Sequence, residues 1–188
     1  LTLSEEGELL QEPIKAAESL RRDHQKVEPM VLPANKEIVV DKIKGVSMEI
    51  IAEIDSKDAP LVEMNVFRSP DKEEFTRIAF FRGRGRYRRG LITIESSFSS
   101  LYPNVLSRAP ETGPVPMDEN EPLKLRVFLD RSSIEVFVNG KQCVATRVYP
   151  KRKDSIGVSL RSQGKDSKLT QLDAWQMKSI YDDVQLTQ

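Results

Sequence analysis

One cysteine and one histidine, Cys143 and His24, stand among 188 residues. That scarcity excludes an internal disulfide, a multi-cysteine zinc site and most histidine-based catalytic arrangements. No cofactor and no metal is therefore expected. Aromatic residues make up 6% of the chain, with Trp175 the single tryptophan, fewer than a stacking platform for a ligand usually offers. Net charge is lacking too: 29 basic and 29 acidic side chains cancel, so no global field draws the chain to nucleic acid or to an anionic membrane surface, and neither is expected as a partner. No run approaches the roughly 18 apolar residues of a spanning helix, and LTLSEEGELLQ is neither basic nor apolar enough for a signal peptide. Any export signal would lie outside this sequence, and both a cytoplasmic and a secreted location remain open. The chain begins at Leu1 inside a strand-like alternation and reads as a piece of something longer.

What the sequence does hold is a short helical signal followed by a long series of strands. Pro13 suits a first helical position, and Ile14, Ala17 and Leu20 recur three residues apart before Arg21 and Arg22, predicting a helix over residues 13–22. Pro29 and Pro33 then break the pattern, and the stretch up to residue 35 reads as a linker. From residue 36 alternation takes over. Met48, Ile50, Ala52 and Ile54 share one phase, as do Leu123, Leu125, Val127 and Leu129, and Ile134, Val136 and Val138. About nine or ten such strands, punctuated by Pro, Gly and Asp, predict a two-sheet antiparallel β-sandwich of the jelly-roll or concanavalin-like kind. Asn139-Gly140 marks a hairpin turn, because both central positions of such a turn need positive φ. Residues 107–122, SRAPETGPVPMDENEP, read as a long proline-rich loop between strands.

The segment FLDRSSIEVFVNGKQCVATRVYP, residues 128–150, resembles the signature of the C-terminal β-sandwich module of glycoside hydrolase family 32, the invertases, levanases, inulinases and related β-fructosidases. The residues that carry the likeness are Asp130, Arg131, Ser132, Glu135, Val136, Phe137, Asn139, Gly140, Arg147, Val148, Tyr149 and Pro150. The N-terminal stretch resembles the end of that family's catalytic propeller and the helix leading to the sandwich, and LDAWQMKSIY its closing strand. The resemblance implies four parts: residues 1–12 as the end of the propeller, 13–35 as linker helix and proline-containing linker, 36–181 as the sandwich, and 182–188 as a tail. It also implies that the catalytic carboxylates lie elsewhere, since the family's three acidic motifs are absent here. The missing propeller is then the expected partner. A fructan or sucrose-type carbohydrate and a second copy of the chain are the other candidate partners.

Several residues admit a functional and a plain reading. Glu49, Glu53, Asp55 and Glu63 fall on the polar phase of strands, where a solvated face outweighs an acid/base pair. For Asp130 turn bonding, and for Glu135 an ion pair with Arg147, outweigh sugar binding. Arg82, Arg84, Arg86, Arg88 and Arg89, interleaved with glycines and Tyr87, could contact phosphate, sugar or single-stranded nucleic acid, but a solvated or interdomain hairpin is the stronger reading. Cys143 reads as a small strand residue and His24 as a linker contact. Trp175 reads as core before sugar platform. If the sandwich touches carbohydrate itself, Trp175, Tyr87 and Arg86 are the residues expected to do so.

Overall fold

The computed structural model describes residues 1–5, 7, 9–56, 58–83, 89–106 and 108–180. Its fifteen strands are β1 (Thr2–Leu3), β2 (Leu9–Leu10), β3 (Arg21–Val27), β4 (Met30–Leu32), β5 (Glu37–Lys44), β6 (Ser47–Asp55), β7 (Leu61–Arg68), β8 (Thr76–Phe81), β9 (Arg89–Glu95), β10 (Glu111–Pro116), β11 (Leu123–Asp130), β12 (Ser133–Val138), β13 (Gln142–Arg147), β14 (Gly157–Gln163) and β15 (Ser167–Met177). Two antiparallel sheets pack face to face. One runs β10-β9-β8-β7-β14-β5; the other runs β13-β12-β11-β6-β15-β3, with β4 also on β15, and β1 and β2 form a small separate hairpin.

Period-two alternation explains the layering, because it sends every second side chain to one face. Met48, Ile50, Ala52, Ile54, the four leucine and valine positions of β11 and the three of β12 are all 3% exposed or less, and they meet Val62, Met64, Ile78, Phe80, Ile92, Ile94 and Leu160 from the opposite sheet. The sandwich expected from the sequence is the fold observed. The Asn139-Gly140 turn is also as expected, with φ of 52° and 67° and Lys141 N–H donating to the Val138 carbonyl at 2.9 Å.

Three segments depart from the sequence reading. The helix shrinks to a short 3-10 segment of six residues, Lys15–Leu20. The three-residue spacing of Ile14, Ala17 and Leu20 is the 3-10 period rather than the 3.6 of an α-helix, and Arg21 and Arg22 are drawn off to pair with Met177 and Gln176. Residues 21–32 are thus strands of the sandwich rather than helix end and linker, since the edge of β15 offers them a hydrogen-bonding ladder that outweighs the two prolines. Within the proline-rich loop, residues 111–116 form β10, which pairs with β9 alone. An edge strand needs N–H groups on one side only, so Pro114 and Pro116 are accommodated.

Candidate functional site: the linker on the outer sheet face

The outer face of the sheet containing β6 is built in cross-strand rows. One row runs Ala145, Glu135, Phe128, Glu49, Trp175, and the next Cys143, Phe137, Arg126, Ile51, Asp173. The N-terminal segment lies across these rows. Gln11 N–H donates to the Gly140 carbonyl at 2.8 Å, the 3-10 turn follows, and the chain joins the sheet at Arg21.

Covering the face in this way removes Glu49 from water, so its carboxylate is 0% exposed. A buried carboxylate needs compensating charge, and two arginines supply it. Arg21 donates from Nε to Glu49 Oε2 at 2.8 Å and from Nη2 to Oε1 at 2.7 Å, the planar two-point match that guanidinium makes with carboxylate. Arg126 Nε adds a bond of 2.6 Å to Oε1. Glu18, on the 3-10 turn, lies 3.4 Å from Arg126 and 3.8 Å from Arg21. Burial pushes the Glu49 carboxyl upward, but the two guanidiniums more than offset it and hold the group below the ordinary carboxylate range. The cluster ties linker (Glu18), β3 (Arg21), β6 (Glu49) and β11 (Arg126) to one point.

Trp175 flanks this cluster. The Arg21 guanidinium carbon sits 4.2 Å from its ring centre, and the His24 ring stacks on it at 4.7 Å and 7°. His24 Nε2 in turn meets Asp173 Oδ1 at 2.7 Å. Trp175 is half-buried at the outer face, neither a core residue nor a bare platform. Arg86 and Tyr87, the other two expected sugar contacts, lie outside the described residues, as do Arg84 and Arg88. Arg82 donates to the Glu119 and Glu121 carbonyls at 3.2 and 2.8 Å, which ties down the start of that arginine-rich segment.

On the other side of the linker a cleft of about 320 Å³ opens between Glu12, Pro13, Ile14 and Ala17 and the sheet residues Phe128, Glu135 and Phe137. Phe128 and Phe137 meet edge to face at 6.1 Å. Glu135 does not pair with Arg147: it stands opposite Ala145, and Arg147 opposite Ser133, and both side chains are exposed. Cys143, half-buried beside Phe137, has its thiol pushed up by burial and then by the nearby Glu135 charge.

Two further sites were not legible in the sequence. Glu74, 0% exposed, accepts from the N–H groups of Leu101, Lys151 and Arg152 at 2.7, 2.9 and 2.9 Å and from the Ser155 hydroxyl at 2.7 Å. It gathers three loops at one end of the sandwich. On the outer face of the six-stranded sheet a groove of about 330 Å³ is floored by Leu61, Ala79, Phe81 and Leu91, with Arg77 bridging Glu63 and Glu95 at 3.3 and 3.0 Å. Glu49 and Glu63 correct the expectation of a solvated polar phase, because both are 3% exposed or less.

Comparison with known proteins decides what kind of module this is. Residues 16–176 match the family model described as "Glycosyl hydrolases family 32 C terminal". The chain belongs to that family. It is 27% identical over 152 residues to a sucrose-6-phosphate hydrolase of Escherichia coli, covering 79% of this chain and 28% of the relative. It is 26% identical over 175 residues to a levanase of Bacillus subtilis (strain 168), covering 92% of this chain and 25% of the relative. The fold is that of the crystal structure of fructan 1-exohydrolase IIa from Cichorium intybus, with a TM-score of 0.84 at 21% identity over 94% of this chain and 40% of that one. The glycoside hydrolase family 32 module therefore spans well under half of the proteins it resembles.

Proposed function

We propose that the chain is a non-catalytic accessory module of a β-fructosidase, the whole enzyme cleaving fructosyl linkages of sucrose, inulin or levan, and that the module braces the catalytic domain. The observation that carries this reading is the fastening of residues 11–21 to the outer sheet face through Gly140 and the Glu49 cluster. This segment, expected as the linker helix, is locked to the sandwich, so force and orientation pass rigidly through it to the sheet.

The state of the carboxylates supports a non-catalytic role. Retaining glycoside hydrolysis needs an ionised nucleophile and, about 5 Å away, an acid whose pKa is raised so that it keeps its proton. Among the described residues every acidic side chain whose titration is displaced moves down: Glu37, Glu49, Asp71, Glu74, Glu121, Asp154 and Asp173. Arginines, hydroxyls and backbone N–H groups hold them ionised, which suits structural anchors and not proton donors. The test is reducing-sugar release from sucrose, inulin and levan by the purified chain, with calorimetric titration of inulin alongside. The expected result is no release above a buffer blank and no heat. Release that disappears when a carboxylate of this chain is mutated would overturn the non-catalytic reading, and saturable heat lost in Trp175→Ala would make the module a sugar binder.

A further inference from the structure

The cleft between the linker and strands β11 and β12 is a surface with no ligand assigned to it, and its chemistry is selective. Its walls are apolar: Ile14 is 75% exposed, Ala17 faces it from the 3-10 turn, and the two phenylalanine rings close the floor. Two carboxylates, Glu12 and Glu135, line it, and among the described residues Glu135 meets no cation within ion-pair distance. An apolar slot rimmed by unneutralised acids fits a side chain with a hydrocarbon stem and a cationic head, which is arginine or lysine.

We infer that this cleft is where the preceding catalytic domain docks, by inserting a basic side chain between the linker and the rings of Phe128 and Phe137. The inference rests on the brace reading above and names the contact through which bracing acts. Two facts favour the catalytic domain over other occupants. The relatives carry most of their length outside the region matched here, which amounts to 28% and 25% of them. The cleft is also walled by the very segment, Glu12 to Ala17, that connects to whatever precedes it, so a domain tethered there meets the cleft at a high effective concentration. Exposed apolar side chains beside such a tether are an interface signature, because an isolated soluble surface rarely gathers them in one place.

Cys143 provides the probe. It is the single cysteine of the chain, it neighbours Phe137 across the β12–β13 ladder, and it is half-buried rather than sealed. The experiment measures N-ethylmaleimide labelling of the Cys143 peptide by mass spectrometry at pH 8.5, for the chain alone and with the family's catalytic domain supplied separately, together with the melting temperature of each mixture. The expected result is a labelling rate at least tenfold lower when the catalytic domain is present. In Glu135→Lys that protection should shrink to less than twofold, while the chain alone melts as the parent does; Glu135→Gln should lie between. A raised melting temperature with unchanged labelling would overturn the cleft assignment and leave the brace intact. Neither effect would overturn both. Labelling that slows with the chain's own concentration, without any catalytic domain, would assign the cleft to a second copy and overturn the inference.

Discussion

Replacing Glu49 by Gln keeps the size of the side chain and removes its charge, which isolates the electrostatic part of the cluster. In the parent, Oε1 accepts at 2.7 and 2.6 Å and Oε2 at 2.8 Å. The amide introduced by Glu49→Gln would have one oxygen only, and its NH₂ would face a guanidinium donor, so at least one charge-assisted bond is lost at about 1.5–3 kcal/mol. Two guanidiniums would then share Glu18, whose side chain is 42% exposed, as their only nearby anion among the described residues. Breaking a buried pair costs about 3–5 kcal/mol. Arg21 and Arg126 keep side-chain exposures of 19% and 23%, and water reaches them, so the lower end applies. The expected loss is about 3 kcal/mol, or roughly 6–12 °C in melting temperature for a chain of this size. Urea unfolding should show the midpoint falling with the slope unchanged. A cycle with Arg126→Met sharpens the test: the double variant should lose less than the sum of the singles, because the uncompensated guanidinium is gone. A loss below about 0.5 kcal/mol, the range of an ordinary surface change, would show that the cluster is not what holds the linker.

Other outcomes follow from the same geometry. Glu74→Gln should cost about 2–4 kcal/mol, since its amide cannot satisfy four donors and unpaired buried N–H groups are expensive, and hydrogen exchange should accelerate at Leu101, Lys151 and Arg152. Gly157→Ala should destabilise by more than about 1 kcal/mol on urea unfolding, because its Cβ would lie 2.8 Å from the Arg68 carbonyl oxygen. Acid should weaken the fold in a defined window. Burial pushes the Glu37 carboxyl up, but the Ser159 hydroxyl, Arg68 and Lys72 draw it down from 4.5 to about 2, so the unfolded chain takes up its proton first. The stability this provides is complete above about pH 5 and drains away as pH falls toward about 2. Glu49 and Glu74 shift in the same direction, so urea midpoints should fall steeply below about pH 5, and less steeply in Glu49→Gln.

Alternation carried most of the fold. The strands of residues 123–138 show their buried phase in the sequence, and Asn139-Gly140 fixes the turn that follows, so this part of the sandwich is legible residue by residue. Pairing partners that come from far along the chain are not. Nothing local in residues 21–32 says that β15 lies ready to receive them, and the prolines there argue for a linker until that edge is known. The site was hidden for a related reason. A strand pattern places Glu49 and Arg126 on the face away from the core, yet it cannot show that the 3-10 turn covers that face or that the two residues occupy adjacent rows. Glu74 gave no signal either, because its four donors come from two loops far along the chain, one holding Leu101 and the other Lys151, Arg152 and Ser155. The resemblance in residues 128–150, by contrast, pointed to the family before any fold was known, and the match over residues 16–176 agrees with it.

If the module braces a catalytic domain by binding it, as proposed, thermal unfolding of the chain reports that binding. A partner that binds only the folded state stabilises it by an amount that grows with the logarithm of its excess over the dissociation constant, about 2.7 kcal/mol at a hundredfold excess, and the melting temperature rises accordingly. With the family's catalytic domain added in trans, the account predicts that the chain's melting temperature rises by several degrees as that domain's concentration increases, while inulin leaves it unchanged. A shift with inulin and none with the catalytic domain would contradict it.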